Sequence, residues 1–431
     1  MNADQSGRRA WRVTSARPVS SFGAMRVWLG AALFWLVAFT PLAAQVQLGN
    51  EVLAANQFRE LTGKRVGLLT NPSGVNRRLE STVDVLRRAP GVKLAALFGA
   101  EHSLYGDAPA GEEVRDSTDA HTGLPVYSLY GPGPTRKPSP ATLKGLDAVV
   151  YDIQDTGCRA YTYISTMGLA MEACGEMGVQ FIVLDRPNPL GGLRVEGPLW
   201  NSRFRSMVGQ WNIPYVYGIT CGELARMING EGWIQTPCKL TVIPMKGWER
   251  AMVWRDTGLP WVPTSPRVPH DQSPLFQVAT GMIGEIGGLN IGMNYSLPFE
   301  CLAAPWLDAY QFCQTLNSYN LAGVKFQPII YRPFTGANRV AGAQIYFTDP
   351  NRAPLAAINF CALEAVRKLT RRDLFAEALQ AGHNFAMFDK VNATDATRKD
   401  LQNGRGAASI VRSWKAGEDA FRLKRQKYLL Y

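Results

Sequence analysis

Carboxylates, an amide and a histidine follow four short apolar runs of this sequence. The apolar runs end at Leu69, Phe98, Tyr151 and Leu184. The polar residues that follow them are Asn71, Glu101, His102, Asp152, Asp155, Asp185 and Arg186. Two carboxyl groups around one ligand suit glycoside hydrolysis, because one protonates the leaving oxygen while a second group stabilises or attacks the sugar carbon. Carboxylate and amide oxygens also suit divalent cations, so a metal site is the competing interpretation.

Other chemistry is less well represented. Asp and Asn are common helix caps and turn residues, and this explanation applies more to Asp185 than to Glu101 or His102. The chain has four histidines and no HExxH motif, so no metal is predicted. Neither a glycine-rich phosphate loop nor a GxSxG elbow occurs, which disfavours nucleotide binding and serine hydrolysis. We therefore predict no cofactor.

The elements that must position these residues alternate between strand and helix from residue 46 to about residue 269. Predicted strands cover residues 66–69, 92–98, 126–129, 146–151 and 181–184, and predicted helices cover residues 81–88 and 166–177. This alternation predicts a parallel sheet covered on both faces. Since ligands of such sheets bind beyond the carboxyl ends of the strands, the polar residues are expected in one crevice.

The pattern changes after Pro269. Residues 281–298 are rich in glycine and predict a long loop, and residues 344–347 predict a strand. Predicted helices cover residues 306–317, 356–369, 374–380 and 409–431. The predicted fold class is therefore α/β, with a catalytic domain over residues 45–270 and a smaller α+β domain over residues 271–431.

The first 44 residues predict a secretory signal. Five arginines precede the apolar run 27–39, and small residues follow it. The run is shorter than the roughly 20 residues that span a bilayer, although an N-terminal anchor and a start at Met25 stay open. We expect an exported protein, periplasmic or extracellular, with no stable membrane span after signal removal. Of 46 basic and 35 acidic residues, 41 and 34 would remain, a net charge of +7 instead of +11.

Charge, cysteines and aromatic residues narrow the partners. No Lys/Arg-rich run is interleaved with aromatic residues, so nucleic acid is not a predicted partner. The seven cysteines form no CxxC pair, which removes the zinc-ribbon and thioredoxin interpretations. Tyr163 is one of several aromatic residues that could stack on a sugar ring. Arg159, Arg186 and Arg267 are candidate partners for a substrate carboxylate, since guanidinium binds carboxylate through two hydrogen bonds.

Several longer motifs resemble one family. They are Gly67-Leu-Leu-Thr-Asn-Pro-Ser-Gly74, Phe98-Gly-Ala-Glu-His102, Tyr151-Asp-Ile-Gln-Asp-Thr-Gly-Cys-Arg159, Tyr161-Thr-Tyr163, Leu184-Asp-Arg-Pro-Asn-Pro189, Gly222-Glu-Leu-Ala225, Thr257-Gly-Leu-Pro-Trp261 and Tyr428-Leu-Leu-Tyr431. They occur in order from about residue 63 to the C-terminus. In them the chain resembles the exo-acting β-N-acetylmuramidases of the NamZ type.

This resemblance implies a Rossmann-like domain, a smaller C-terminal domain and an active site between them. It implies release of N-acetylmuramic acid from the non-reducing end of a peptidoglycan-derived saccharide. The residues that it marks as catalytic are Glu101, His102 and Asp155, with Glu101 as the leading acid. The residues that it marks as substrate-binding are Asn71, Glu112, Asp152, Arg159, Tyr163, Asp185 and Arg186. Oligomeric state is not predicted.

The chain departs from the family pattern at four places. The family has Gly where Ser103 stands, Arg where Tyr105 stands and His where Tyr217 stands, and its Ser-Glu-Gly-Arg-Gly-Thr loop is replaced by residues 287–295. Three alternatives therefore stay open: a hydrolase of another amino sugar, a saccharide-binding protein without turnover, and a metal-dependent hydrolase.

Overall fold

A computed structural model describes residues 45–133, 136–335 and 338–431 of the chain. The predicted signal, residues 1–44, lies outside the described residues. Within the described ranges, no helix combines the length and the apolar character needed to cross a membrane.

A seven-stranded sheet forms the first half of the structure. Its strands are β1 (Arg65–Thr70), β2 (Lys93–Gly99), β3 (Ser117–Thr118), β4 (Pro125–Ser128), β5 (Ala148–Asp152), β6 (Gln180–Leu184) and β7 (Lys239–Ile243), in the order β3-β4-β2-β1-β5-β6-β7. All neighbours pair in parallel except β3 and β4. The five predicted strands are present, and the structure adds the two edge strands β3 and β7.

Helices cover this sheet, and their sequences explain their limits. They are α1 (Gly49–Ala55), α2 (Thr82–Arg88), α3 (Pro140–Leu143), α4 (Tyr163–Met177) and α5 (Cys221–Gly230). Helix α4 ends where Gly178 adopts a left-handed conformation with φ 67°, which glycine tolerates without a Cβ clash. Helix α5 begins with a capping box between Thr220 and Glu223. β5 is buried along its whole length, as expected for a strand covered on both faces.

The second half contains a three-stranded antiparallel sheet in the order β8-β10-β9. Its strands are β8 (Cys301–Ala304), β9 (Val324–Tyr331) and β10 (Val340–Phe347), and its helices are α6 (Ser273–Gly284), α7 (Ala309–Ser318), α8 (Leu355–Thr370), α9 (Leu374–Gln380), α10 (Ala386–Asn392), α11 (Ala396–Gln402) and α12 (Ala407–Arg425). The predicted α/β fold with a smaller α+β part is confirmed. The boundary at residue 270 stays a prediction.

Two local predictions in this half were wrong. The expected loop 281–298 begins inside α6, because Val278, Met282 and Ile283 form a buried helical stripe that outweighs the neighbouring glycines. β8 and β9 were not predicted. β8 is a four-residue buried run without alternation, and β9 contains Pro328, which is tolerated at the edge of a sheet.

The C-terminal segment connects both hydrophobic cores. Trp414 of α12 belongs to the core of the second half, whereas Phe421 and Tyr428 belong to the core beneath the parallel sheet. The last residue, Tyr431, donates a hydrogen bond from its hydroxyl to Asp185 at 2.8 Å. The end of the chain is therefore fixed below the strand ends.

Candidate active site

Glu101 lies directly after β2 and is held by two hydrogen bonds. The Gly111 N–H donates to its Oε1 at 2.8 Å, and the Thr162 hydroxyl donates to its Oε2 at 2.5 Å. Thr162 is the residue before α4, and its side chain does not cap that helix, so its hydroxyl is available to Glu101. The residue retains 8% exposure, which places a nearly enclosed carboxyl group at the boundary with solvent.

Two tyrosines surround this carboxyl group. Burial and then the nearby Glu101 carboxylate raise the pKa of Tyr130 well above its ordinary value. Burial is also the main reason for the raised pKa of Tyr163, with a smaller contribution from Glu101. The Arg136 guanidinium lies 4.4 Å from the centre of the Tyr130 ring, a cation–π contact. Glu101 therefore sits in an aromatic setting with a cation close by.

The loop after the first domain's last strand closes over these residues. The Thr264 carbonyl accepts hydrogen bonds from Asn71 Nδ2 at 2.9 Å and from the Tyr163 hydroxyl at 2.6 Å. The Thr264 hydroxyl donates to the Gln154 carbonyl at 2.7 Å. The structure thus brings together three predicted site residues, Glu101, Asn71 and Tyr163.

His102 belongs to a tight turn that reverses the chain after Glu101. His102 and Ser103 have φ values of 69° and 70°, a left-handed region that costs residues with a Cβ about 1 kcal/mol or more each. The ring Nδ1 of His102 lies 2.8 Å from the Ala108 carbonyl. Two consecutive left-handed residues beside a buried carboxyl group are typical of a functional turn.

Asp155 forms a second, separate acidic group below the strand ends. Its Oδ2 accepts hydrogen bonds from the Gly157 N–H at 2.6 Å and from the Tyr217 hydroxyl. Its Oδ1 is buried and has no hydrogen-bond partner in the described part of the chain. Burial raises the pKa of Asp155 to about 6, although both hydrogen bonds act in the opposite direction.

This raised pKa predicts a pH-dependent stability. Because the native pKa of about 6 exceeds the ordinary 3.8, Asp155 lowers the free energy of unfolding by about 3 kcal/mol as pH rises through this window. Asp155→Asn should therefore gain about 3 kcal/mol relative to the parent between pH 4 and pH 7. Urea unfolding at both pH values measures this difference, and equal differences at pH 4 and pH 7 would contradict it.

Asp152 and Arg186 pair with each other instead of facing the crevice. Arg186 Nε and Nη2 donate to the two carboxylate oxygens at 2.5 and 3.0 Å. Asn50 and Thr82 donate to the same carboxylate at 3.3 and 2.6 Å. Asp152 has no exposed surface. Because a buried charge must be paired, this arrangement is structural, and we no longer propose Asp152 as a sugar contact.

Asp185 and Arg159 also have internal partners. Asp185 accepts hydrogen bonds from Thr220, Gly222 and Tyr431, and burial raises its pKa to about 6. The Arg159 guanidinium donates to the carbonyls of Pro198, Ile213 and Val391 at 2.8–3.0 Å. Burial lowers the Arg159 pKa to about 10. These contacts do not support the predicted sugar-binding roles of the two residues.

Glu112 lies on an exposed loop next to Gly111, and its side chain makes no contact that defines a role. The residues that sequence reasoning missed are Gly111, Tyr130, Thr162 and Thr264. Thr162 lies inside the Tyr161-Thr-Tyr163 motif, so its position was marked although its contact with Glu101 was not. Among the described residues, no three His, Cys, Asp or Glu side chains are placed to hold a metal ion. All seven cysteines are buried and free.

Family models match nearly all of the described chain. The model "Exo-beta-N-acetylmuramidase NamZ, N-terminal" matches residues 66–272, and the corresponding C-terminal model matches residues 277–431. The chain belongs to the NamZ family.

Relatives of known sequence or structure agree with this family. The peptidoglycan beta-N-acetylmuramidase NamZ of Bacillus subtilis is 41% identical over 390 residues, which are 90% of this chain and 92% of that protein. A crystal structure of a DUF1343 family protein from Bacteroides fragilis is 45% identical, with a TM-score of 0.82 over 90% of this chain and 99% of that one. A second such structure is 28% identical, with a TM-score of 0.71 and the same coverage.

The departures from the NamZ pattern have structural partners in this chain. Ser103 occupies a left-handed position where the family's Gly is favoured, and its hydroxyl donates to Asp107 at 2.5 Å. The Tyr105 hydroxyl donates to Asp119 at 2.7 Å. Tyr217 donates to Asp155 from the position of the family histidine. The turn after Glu101 and the contacts of Asp155 are therefore built differently here, while Glu101 itself is retained.

Proposed function

We propose that this protein is an exported exo-acting glycosidase that removes N-acetylmuramic acid from the non-reducing end of peptidoglycan fragments. The observation that carries the proposal is the Glu101 carboxyl group, oriented by Gly111 and Thr162 between two tyrosines at the end of β2. The peptidoglycan substrate named for the Bacillus subtilis relative supports the same conclusion.

In this proposal Glu101 protonates the glycosidic oxygen as the bond to the anomeric carbon breaks. A hydroxyl can donate or accept, so Thr162 can bond both the ionised and the protonated carboxyl group. The positive charge that develops at the anomeric carbon is stabilised by the substrate's own 2-acetamido group or by a second carboxylate, for which Asp155 is the candidate. Water completes hydrolysis, and Glu101 accepts its proton.

Muramic acid differs from glucosamine by its lactyl carboxylate, which requires a cation. Arg159 and Arg186 are engaged inside the protein. Arg136 reaches the Glu101 cluster through Tyr130 and donates to the carbonyls of Gly131 and Gly133. We therefore assign Arg136 to the lactyl carboxylate, since a guanidinium binds a carboxylate through two hydrogen bonds.

The test of the activity is release of nitrophenol from a nitrophenyl β-N-acetylmuraminide by residues 45–431. We expect release from the muraminide and at least about tenfold slower release from the matching glucosaminide, which lacks the carboxylate. Release should be unchanged by strong chelators, and loss of activity on chelation would favour the metal-dependent alternative. Binding of the sugar without release would favour a non-catalytic saccharide-binding protein.

Export is proposed from residues 1–44 and requires its own measurement. The full chain should be recovered outside the cytoplasm with a new N-terminus near residue 45, and a chain that begins at residue 45 should stay inside. An uncleaved full chain in the membrane fraction would instead favour the N-terminal anchor.

A further inference from the structure

A groove of about 750 Å³ opens at the surface beside the strand ends, apart from Glu101. Its wall includes Arg77, Arg78, Leu79, Trp254, Arg255 and Trp261. A narrower inner part shares Arg77 and Trp254 with it and reaches Ser73, Gln154 and Arg186. These last three residues follow β1, β5 and β6 respectively, so the groove ends on the same edge of the sheet as the candidate active site.

Two buried polar atoms in the groove wall lack partners. The Trp254 indole N–H and the Gln154 side-chain oxygen are buried and make no hydrogen bond to any described residue. The Gln154 amide nitrogen donates to the carbonyls of Asp155 and Pro187, both at 2.8 Å, which fixes the orientation of the amide. An unpartnered buried donor or acceptor costs about 1–3 kcal/mol. A bound ligand with both an acceptor and a donor would remove this cost.

The charge of the outer groove favours an anion. Three arginines and one aspartate, Asp271, line it. Arg77 is held by Glu51 at 3.1 Å and Arg255 by Asp271 at 2.9 Å. Arg78 is exposed, and its guanidinium contacts no acidic side chain within the described ranges. Trp254 and Trp261 stack edge to face at 4.9 Å and supply an apolar wall.

The groove is within reach of a substituent on a sugar at Glu101. The strand order β2-β1-β5-β6 places the Gln154 and Arg186 ends two and three strand positions from the Glu101 end. At about 4.8 Å a position, this separation is roughly 10–15 Å. A peptide spans about 3.3 Å per residue when extended, so three to five residues cover it.

We infer that this groove binds the carboxylate-bearing peptide stem attached to the lactyl group of the terminal muramic acid. The inference rests on the proposed function and adds a peptide subsite to it. A peptide stem presents carboxylates to the arginines, amides to Trp254 and Gln154, and aliphatic side chains to the tryptophans. The glycan chain fits less well, because alternate sugars carry no charge.

The experiment compares two disaccharide substrates, muramic acid linked to glucosamine with and without a tetrapeptide stem. We expect the parent to prefer the peptide-bearing substrate. Arg78→Gln/Arg255→Gln should lower kcat/KM on that substrate about fivefold to tenfold and change the peptide-free value by less than about twofold. Arg59→Gln, an exposed arginine away from the groove, is the matched control and should change neither value.

Equal values for both substrates in the parent, or an equal loss on both in the double variant, would overturn the inference while leaving the proposed function intact. If neither substrate is cleaved, the proposed function fails, and calorimetry of the free tetrapeptide then decides the inference alone. Binding that the double variant weakens supports the groove. Absence of binding, or binding that the double variant does not change, overturns it.

Discussion

Glu101→Gln is expected to lower kcat for release of the terminal sugar about a thousandfold. The glutamine side chain can still accept hydrogen bonds from Gly111 and Thr162, so the local structure should persist. It cannot donate a labile proton to the glycosidic oxygen, and general acid catalysis by a positioned group contributes about 10²- to 10⁴-fold. Steady-state kinetics on the nitrophenyl muraminide measure this loss.

Two controls separate this effect from misfolding. Glu249→Gln removes an exposed carboxylate that lies away from the site and should retain activity within about twofold. Glu101→Gln should keep its thermal midpoint within a few degrees of the parent, with sugar affinity reduced much less than kcat. Full activity in Glu101→Gln would show that another group supplies the proton, and Asp155 would be the next residue to test.

Arg186→Met is expected to lower the free energy of unfolding by about 3–5 kcal/mol. The substitution leaves the Asp152 carboxylate buried with only Asn50 and Thr82 as partners. Removing one member of a buried ion pair leaves an uncompensated charge, which accounts for a loss of this size. Urea unfolding followed by circular dichroism measures it.

An exposed pair provides the matched comparison. Lys415 and Asp419 form an ion pair at 2.6 Å with side-chain exposures of 67% and 49%, so Lys415→Met should cost less than about 1 kcal/mol. Adding Asp152→Asn to Arg186→Met should recover part of the loss, because the buried group is then neutral. A loss below about 1 kcal/mol in Arg186→Met would show that Asp152 reaches solvent and would return it to the list of candidate sugar contacts.

The expectation of one carboxylate-lined crevice was correct about location and incomplete about orientation. Asp152, Asp155 and Asp185 all follow strand ends, as the sequence indicates. Their side chains, however, turn inward to Arg186, Tyr217 and Tyr431. Glu101 alone among the strand-end carboxylates combines polar support with partial exposure.

Local patterns in the sequence determined the alternation of strands and helices, the parallel sheet and the motifs that mark the NamZ family. These features depend on the type and spacing of neighbouring residues, which a single chain displays directly. The partners of each carboxylate were decided by tertiary structure, because they lie far apart in sequence: Asn50 is 102 residues from Asp152, and Tyr431 is 246 residues from Asp185. A buried charge is stable only with such partners. Whether a strand-end acid supports the fold or faces a ligand therefore depends on contacts that form only when the whole chain is folded.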